Sequence, residues 1–327
     1  MYIVTGGAGF IGSAFVWELN KQGIEDILIV DNLGYGEKWK NLTGLKFIDY
    51  EHRDRLFDLL EKGRLPAVKG IIHMGACSST TERDAEFLMR NNFHYSQDLA
   101  LFCVSKGVRF IYASSAATYG DGQSGFDDSH AALDLYRPLN MYGYSKHLFD
   151  LWAWKKNLLS QMAGLKFFNV FGPNEYHKED MKSVICKAYS QIKETGGLKL
   201  FRSYHEDYPH GGQMRDFIYV KDCTAVMYWL LENKEVNGVF NLGTGTPRTW
   251  NDLARAVFTA MGREPRIEYI QMPESLRPKY QYYTRAQMEK LQAVGCPLNF
   301  TSLEDGARDY VQNYLAAPDP YLDSSRS

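Results

Sequence analysis

A length of 327 residues is enough for a full-sized hydrophobic core and predicts two interlocked domains. With 37 Lys and Arg against 39 Asp and Glu, the net charge of −2 gives no strong field, so we expect neither a nucleic-acid nor a membrane partner. The five cysteines contain no Cys-x-x-Cys pair and the histidines no His-Glu-x-x-His motif, which argues against a disulfide framework and a metal site.

The first residues enter a strand pattern at once, which leaves no room for the basic and apolar segments of a secretory signal. No later stretch approaches about 18 uncharged apolar residues, the length that a membrane-spanning helix needs. We therefore expect a cytoplasmic protein.

Strand-like apolar runs alternate with helical patterns through the first half of the chain. The strands are predicted at residues 2–5, 27–30, 46–48, 70–73 and 108–113, and intervening helices at 14–22 and 95–106. This alternation is typical of an α/β fold with a doubly wound parallel sheet. The second half has shorter elements and more glycine punctuation, and we expect the substrate surface there. The final residues 316–327, rich in Pro, Ser and Asp, predict a frayed tail.

A glycine-rich loop, Gly6-Gly7-Ala8-Gly9-Phe10-Ile11-Gly12, lies between the first strand and a helical pattern at 13–20. Gly6 permits a tight turn, Gly9 lets backbone amides approach a pyrophosphate, and Gly12 lets the helix pack closely on the strand. The helix N-terminus adds partial positive charge. In this strand–turn–helix context the motif indicates a dinucleotide site rather than a turn that only packs.

The second predicted strand leads to Asp31, about 20 residues after the glycine loop, where a carboxylate can accept hydrogen bonds from an adenosine ribose. Such a carboxylate repels a 2′-phosphate and favours NAD. Lys38 and Arg53 would neutralise that phosphate if their loops folded back, which favours NADP. The residues alone leave the choice of cofactor open.

A serine, a tyrosine and a lysine form the candidate reaction centre. Ser114 and Ser115 follow the strand predicted at 108–113, and ligands of open α/β sheets bind at such strand ends. Tyr142 and Lys146 are one helical turn apart and share a face of the helix that continues to residue 155. A neighbouring ammonium lowers a phenol's pKa, so the pair can take an alcohol proton while hydride leaves for a nicotinamide.

The same Tyr-x-x-x-Lys pattern recurs at Tyr189 and Lys193, in a chain that contains 22 tyrosines. No serine-bearing strand end precedes this second match, so we predict an ordinary helix surface there. Tyr144 is out of phase with Lys146 and is predicted to serve in packing.

These motifs, together with Phe-Phe-Asn-Val-Phe-Gly-Pro at 167–173 and Arg-Asp-Phe-Ile-Tyr-Val at 215–220, resemble the extended short-chain dehydrogenase/reductase family over nearly the whole chain. Within it, the sequence is similar to the ADP-heptose 6-epimerases at Gly-Ala-Cys-Ser-Ser-Thr-Thr 75–81, at 114–120, at 140–146 and at His177-Lys178. The resemblance implies a Rossmann domain, 1–168 with 215–243, and a smaller substrate domain, 169–214 with 244–327. It further implies a nucleotide-sugar substrate, tightly held NADP and a homo-oligomer.

Motifs and resemblance together nominate residues for both ligands. The cofactor candidates are Gly6, Gly9, Phe10, Ile11, Gly12, Asp31, Asn32, Lys38, Arg53, Gly75, Ala76, Cys77, Ser78, Ser79, Asn92, Lys146, Val170 and Lys178. The substrate candidates are Ser115, Asn169, Asp180, Lys187, Phe201, Arg202, Ser203, Tyr204, Arg215 and Tyr280. Arg215 suits a diphosphate because its donors are forked. Asp180 and Lys187 depart from the serine and histidine common in that family.

The reaction that the resemblance implies is inversion at C6 of a nucleotide-linked heptose, for lipopolysaccharide precursors. No carbonyl acidifies that C–H bond, so the carbon is first oxidised to a ketone and hydride then returns to its other face. The turned ketone needs a second proton donor, and the resemblance nominates Lys178. Tyr142 then serves one epimer and Lys178 the other, while Ser115 binds the reacting oxygen and Lys146 orients the ribose and lowers the Tyr142 pKa.

Three other functions fit parts of the pattern. A 4,6-dehydratase needs an Asp-Glu pair where this chain has Ala116 and Ala117. A nucleotide-sugar 4-epimerase would use the same serine, tyrosine and lysine. A non-catalytic NAD(P)-binding module would have no need to keep these three side chains.

Overall fold

The computed structural model describes residues 1–274, 276–277, 280–297 and 299–326. Its centre is a seven-stranded sheet of β1 (Tyr2–Thr5), β2 (Ile27–Asp31), β3 (Asp49–His52), β4 (Gly70–His73), β5 (Arg109–Ser115), β6 (Met162–Phe167) and β11 (Gly238–Leu242). The strands lie in the order β11-β6-β5-β4-β1-β2-β3, and neighbouring strands run parallel. The chain changes direction across the sheet between β1 and β4, and ligands of open α/β sheets bind at such a switch point.

Three two-stranded pairs lie outside this sheet. They are β7 (Asn169–Phe171) with β10 (Phe217–Tyr219), β8 (Leu198–Phe201) with β13 (Ile267–Ile270), and β9 (Met214–Arg215) with β12 (Arg248–Thr249). The first two pairs are parallel and the third is antiparallel.

Ten α-helices accompany the strands in the described part of the chain. They are α1 (Phe10–Lys21), α2 (Leu56–Glu61), α3 (Ala85–Leu88), α4 (Tyr95–Lys106), α5 (Met141–Lys155), α6 (Val184–Thr195), α7 (Val220–Glu232), α8 (Trp250–Ala260), α9 (Glu289–Ala293) and α10 (Leu303–Tyr310). Shorter helical turns occupy Lys38–Leu42, Arg53–Arg55, Met89–His94, Ala116–Tyr119, His130–Leu135, Leu158–Ser160, Tyr176–Met181 and Val311–Leu315.

Successive residues of the central strands point to opposite faces of the sheet, so the core divides into two layers. Ile3 belongs to the layer that includes residues of α4 and α5, whereas Val4 belongs to the layer of α1, α7 and the second half of the chain. The fold is therefore the predicted doubly wound α/β architecture. The predicted domain division remains a prediction, and one apolar layer includes residues from both of its parts.

The prediction was wrong for the third strand, which begins at Asp49 rather than at residue 46. β3 is the edge of the sheet and its sequence, Asp-Tyr-Glu-His, is polar, so apolar periodicity pointed to the residues just before it. Helix α5 begins at Met141, one residue before Tyr142, because the Asn140 side chain accepts a hydrogen bond from Gly143 N at 2.8 Å and caps it.

The C-terminal residues do not form the predicted frayed tail. Leu322 is 1% exposed and joins the apolar core, and Ser324 N donates to the Gly44 carbonyl at 2.8 Å. The polar composition of the tail gave no sign of this packing, because the packing depends on Leu322 and on hydrogen bonds to residues far away in the chain.

Candidate active site

A cavity of about 1230 Å³ opens at the carboxyl ends of the central strands, at the switch point of the sheet. Its volume exceeds that of usual single-ligand pockets, so it has room for a dinucleotide and a second ligand. The predicted site residues that line it are Gly6, Gly9, Phe10, Ile11, Gly12, Asp31, Lys38, Gly75, Ala76, Cys77, Ser78, Ser79, Ser115, Tyr142, Lys146, Asn169, Val170, Lys178 and Arg215.

The glycine loop forms one wall and fits the role predicted from its sequence. Gly6 has φ +64°, and a Cβ at this position would lie 2.6 Å from the backbone of Gly75. A Cβ on Gly12 would lie 2.1 Å from the Gly6 carbonyl oxygen. Among the described residues, no side chain caps the start of α1, so its first N–H groups face the cavity without a protein acceptor. This arrangement suits a phosphate group.

Asp31 is held by the protein itself. One carboxylate oxygen accepts from Ala8 N at 2.9 Å, and the other accepts from Asn32 N at 2.7 Å and from Lys38 Nζ at 2.6 Å. The Asp31 carboxylate therefore fixes the glycine loop, and the Lys38 ammonium neutralises the charge of this carboxylate. The repulsion that such a carboxylate would exert on a 2′-phosphate is correspondingly reduced.

Three cofactor candidates, Asn32, Arg53 and Asn92, are not part of the cavity wall. The Arg53 guanidinium donates to the Asn91 side-chain oxygen. Asn92 is buried and its amide exchanges two 2.9 Å hydrogen bonds with the backbone of Cys77, so it shapes the Gly75–Ser79 wall from behind. Asn32 bonds the following loop through Gly34 N at 3.0 Å. Direct contact of these three residues with a cofactor remains a prediction.

Ser115, Tyr142 and Lys146 meet at one end of the cavity. Ser115 is the last residue of β5, and its hydroxyl accepts from Ala117 N at 3.1 Å. Tyr142 lies in the first turn of α5 and Lys146 one turn later. The Lys146 ammonium donates to the Ala113 carbonyl at 2.8 Å, which fastens α5 to β5. The predicted triad is therefore brought together.

The electrostatics of this triad differ from the prediction. Burial raises the pKa of the Tyr142 phenol, and a hydrogen bond with Ser115 partly opposes the rise. Burial lowers the pKa of Lys146 to about 8, against the opposing charge of Asp150. The expected lowering of the Tyr142 pKa by Lys146 was wrong for this chain, because burial dominates and the ammonium is directed to a backbone carbonyl.

Lys178 lies in the helical turn Tyr176–Met181 and faces the cavity together with His177. Its Nζ is 5.4 Å from the centroid of the Phe10 ring, beside the glycine loop. Burial lowers the pKa of Lys178, and the Glu175 carboxylate opposes this. A lysine in this place gives up its proton more readily than a surface lysine, which is what a second proton-transfer group requires.

Arg215 lines the cavity next to two aromatic rings. Its guanidinium lies 5.7 Å from the ring centroid of Trp250 and 5.4 Å from that of Tyr280. It also donates to the Met214 carbonyl at 2.8 Å. Tyr280 accepts from Trp250 Nε1 at 2.9 Å, so this predicted substrate residue supports Arg215 from behind.

The remaining substrate candidates lie outside the large cavity. Ser203 and Tyr204 border a separate shallow cavity of about 500 Å³ with His205, Glu206, Tyr208, Pro209 and His210. Phe201 ends β8, and Arg202 Nε donates to the Tyr269 carbonyl at 3.1 Å. Lys187 donates to the backbone carbonyl of Asp180. Substrate contacts at these six residues remain predictions.

Comparison with known proteins identifies the group to which this architecture belongs. A family model described as the NAD dependent epimerase/dehydratase family matches residues 2–243. The chain belongs to this family. It is therefore an enzyme of the epimerase/dehydratase type whose cofactor is a nicotinamide dinucleotide.

Three known proteins are similar to this chain over nearly its full length. The chain is 64% identical to the ADP-L-glycero-D-manno-heptose-6-epimerase of Nitratidesulfovibrio vulgaris, over 98% of this chain and 100% of the relative. It is 49% identical to the protein of that name from Fusobacterium nucleatum, over the same shares. The crystal structure of the Helicobacter pylori ADP-L-glycero-D-manno-heptose-6-epimerase matches with 27% identity and a TM-score of 0.80, over 97% of this chain and 96% of that one.

The cavity of this epimerase/dehydratase also contains residues that the sequence analysis did not identify. Asn140 was detectable, since it precedes the helix that carries Tyr142 and is a good N-cap residue. Gln281 gave no local signal, because it reaches the cavity wall from far along the chain, where its amide donates to the Gly120 carbonyl at 3.0 Å. The other such residues include Thr80, Thr81, Glu82, Arg83, Phe168, His177, Trp250 and Thr284.

Two tyrosine predictions outside the cavity were wrong. Tyr189 was expected on a helix surface but is buried against the apolar core, because α6 packs on α8 with that face. Tyr144 was expected to pack but is exposed, because it lies on the opposite side of α5 from the sheet.

The remaining sequence-based exclusions concern cysteines, metals and membranes. Four cysteines are buried, and Cys77 is the partly exposed one in the cavity wall. Within residues 1–274, 276–277, 280–297 and 299–326, no group of three His, Cys, Asp or Glu side chains could hold a metal ion. In the same part of the chain, no helix is long and apolar enough to cross a membrane. The cytoplasmic location and the homo-oligomer remain predictions.

Proposed function

We propose that this enzyme is an ADP-L-glycero-D-manno-heptose 6-epimerase that interconverts the D-glycero and L-glycero forms of ADP-manno-heptose for lipopolysaccharide precursors. The observation that carries the proposal is the 64% identity to the Nitratidesulfovibrio vulgaris relative of that name, over 98% of this chain. The matched length takes in both the glycine loop and the half of the chain in which we expect the substrate surface.

The residues of the cavity fit a nicotinamide dinucleotide. The uncapped start of α1 and the crowded Gly6 and Gly12 backbones suit a pyrophosphate in close approach. When bound, the dinucleotide supplies the acceptor and donor of hydride at C6. We propose NADP rather than NAD, because Lys38 neutralises Asp31 and offers a cation beside the adenosine end.

Two groups of this chain have complementary proton affinities. Because burial raises the Tyr142 pKa, its resting form is a neutral phenol, which can donate a proton to a carbonyl oxygen. Because burial lowers the Lys178 pKa, the neutral amine forms at lower pH than on an exposed lysine, and it can accept a proton from a hydroxyl. We propose that Lys178 takes the C6 hydroxyl proton of one epimer as hydride leaves C6, and that Tyr142 gives its proton to the oxygen of the turned ketone as hydride returns to C6, which yields the other epimer.

Ser115 and Lys146 hold the reacting groups in place. Ser115 lies at the end of β5 beside Tyr142, where its hydroxyl can bind the oxygen at C6. Lys146 is anchored by the Ala113 carbonyl and keeps two further donors for a ribose hydroxyl. Arg215, between its two aromatic neighbours, is placed to bind the diphosphate of the substrate.

The decisive experiment incubates the purified protein with ADP-D-glycero-D-manno-heptose, without added cofactor, and follows the C6 configuration by proton NMR. Interconversion of the two epimers is the expected result, and an unchanged spectrum would refute the proposal. A hexose nucleotide is the control substrate, since a 4-epimerase would convert it. Mass spectrometry of the dinucleotide released on denaturation tests the cofactor: release of NADP supports the proposal, and release of NAD alone contradicts it.

A further inference from the structure

The loop that carries Lys178 is fastened at its first residue, Asn174, which is fully buried. The Asn174 side-chain nitrogen donates to Ser13 Oγ at 2.9 Å, and its side-chain oxygen accepts from Leu322 N at 2.9 Å. Its backbone carbonyl accepts from Asn41 Nδ2 at 3.0 Å. One residue thus joins the Lys178 loop, residues 174–181, to three distant parts of the chain.

The C-terminal segment, residues 320–324, also contacts the Lys178 loop. Leu322 is buried, and the Tyr176 hydroxyl donates to the Pro320 carbonyl at 2.8 Å. Ser324 donates to the Gly44 carbonyl from its backbone and its hydroxyl, at 2.8 and 2.9 Å. The segment therefore bridges the Lys178 loop and the part of the chain that follows the turn bearing Lys38.

The fastening points belong to the dinucleotide wall itself. Ser13 lies one turn after Phe10 on α1, and Phe10 is the residue over which the Lys178 amine lies at 5.4 Å. Asn41 Nδ2 also donates to the Ala8 carbonyl of the glycine loop at 2.9 Å. The hydrogen bonds that locate the glycine loop therefore locate Lys178 as well.

The backbone of the Lys178 loop departs from ordinary conformations at two residues, the first of which is Asn174. Asn174 has φ +75° and Glu179 has φ +46°, in the left-handed region that residues other than glycine seldom adopt. Such conformations persist only where the surroundings fix them. The side-chain hydrogen bonds of Asn174 are the fixing contacts at the first end.

We propose that Asn174 is a positioning residue for Lys178: through Ser13 and Leu322 it holds the Lys178 loop so that the lysine amine lies over Phe10, beside the glycine loop. This inference rests on the proposed function, which gives Lys178 a proton-transfer role. Asn174 does not line the cavity and acts on the reaction only through the loop that it fastens.

The test variant is Asn174→Gly, which removes both side-chain hydrogen bonds but tolerates the positive φ. Its matched control is Asn157→Gly, at an exposed left-handed asparagine (φ +56°) outside the cavity wall. We expect Asn174→Gly to lower kcat for epimerisation by about tenfold or more, with KM within about twofold, because a displaced proton-transfer group affects the chemical step. The control is expected to keep both constants.

A second measurement reports the position of Lys178 without any turnover. The full-length protein with its bound cofactor is labelled with acetic anhydride across a pH series, and acetylation of Lys178 is quantified by mass spectrometry. In Asn174→Gly we expect faster labelling of Lys178 and a midpoint shifted toward that of exposed lysines, while Asn157→Gly matches the wild type. Tyr176→Phe, which removes the hydrogen bond to Pro320 and keeps the aromatic ring, should shift the labelling in the same direction by less, and it replaces Asn174→Gly if that variant does not fold.

The outcomes separate this inference from the proposed function. Wild-type labelling of Lys178 in Asn174→Gly overturns the inference, whatever happens to kcat. If the wild-type protein does not interconvert the heptose epimers, the proposed function fails, and the labelling alone decides whether Asn174 positions Lys178.

Discussion

Helices α5 and α6 carry the same Tyr-x-x-x-Lys pattern in different surroundings. On α5, Tyr142 faces the cavity and the Lys146 ammonium bonds the Ala113 carbonyl at 2.8 Å. On α6, Tyr189 is buried in the apolar core, and Lys193 Nζ lies 5.6 Å from the centroid of the Tyr189 ring. The spacing places a tyrosine and a lysine on one helix face in both cases. The surface against which that face packs decides whether the pair can act on a ligand.

The two helices also differ in the polar side chains behind them, although each contributes residues to an apolar layer. Behind α5, Asp150 and Lys166 form a fully buried ion pair at 2.6 Å. Tyr112 and Ser114 donate to the same carboxylate at 3.0 and 2.7 Å, so this polar layer continues into the strand end next to Ser115. Helix α6 instead presents Ile185, Ala188 and Ile192 to the apolar core. The polar side chains behind α5 connect it to the strand end of the active site, whereas the buried face of α6 contacts apolar side chains.

The largest expected effect separates the two tyrosines. Tyr142→Phe should lower epimerisation turnover by about 10²–10⁴-fold, because it removes a proton-transfer group. Tyr189→Phe should leave turnover within about twofold, because the core position keeps its ring. Steady-state assay of both proteins checks this contrast, and equal losses would remove the functional distinction between the helices.

The second effect concerns the layers behind the helices. Lys166→Met should destabilise the protein by about 3–5 kcal/mol, because it leaves the Asp150 carboxylate buried without its cation. Ile192→Val, on the buried face of α6, should cost about 1 kcal/mol through one lost methyl group. Urea denaturation of both variants measures the difference. A smaller loss for Lys166→Met than for Ile192→Val would contradict the importance of the polar layer.

The third effect separates the two lysines. Lys146→Met should lower turnover by about 10–100-fold through lost hydrogen bonds of a charged group, whereas Lys193→Met should be neutral. The Lys146 pKa of about 8 predicts that wild-type turnover falls as the pH rises through this value, because the ammonium is lost. In Lys146→Arg, the guanidinium stays charged and the alkaline fall should move to higher pH. An unshifted profile would show that another group causes the fall.

The smallest effect concerns His147 on α5, for which α6 has no counterpart. Burial lowers its pKa from 6.5 to about 4, with a further contribution from Lys166. Between these values the unfolded chain binds the proton and the folded chain does not, so stability falls as the pH drops from 6.5 toward 4, by about 1 kcal/mol per pH unit. His147→Gln should flatten the dependence of the unfolding midpoint on pH in this window. A slope equal to that of the wild type would contradict the assignment to His147.

The strands and helices of the first half of the chain could be predicted from the sequence. Most of its strands are buried on both faces and are therefore apolar, and its glycine loop has a local sequence motif. Strands β1 and β4 were predicted to the residue, as was α4. The edge strand β3 was predicted at the wrong residues, because an edge strand can be polar and then shows no apolar pattern. The shallow cavity at Ser203 and Tyr204, apart from the main site, and the anchored tail depend on contacts that no local pattern records.

The sequence by itself determined the α/β class, the glycine loop and the helical spacing of Tyr142 and Lys146, because turns and helix faces follow from neighbours in the chain. The sequence gives Tyr189 and Lys193 the same helical spacing, so spacing alone does not distinguish the two pairs. Only the tertiary structure decided which pair faces a cavity, that burial rather than Lys146 sets the direction of the Tyr142 pKa shift, and that Leu322 bonds the Asn174 side chain at the start of the Lys178 loop. These features depend on burial and on contacts between segments far apart in the chain, which form only when the whole core is packed.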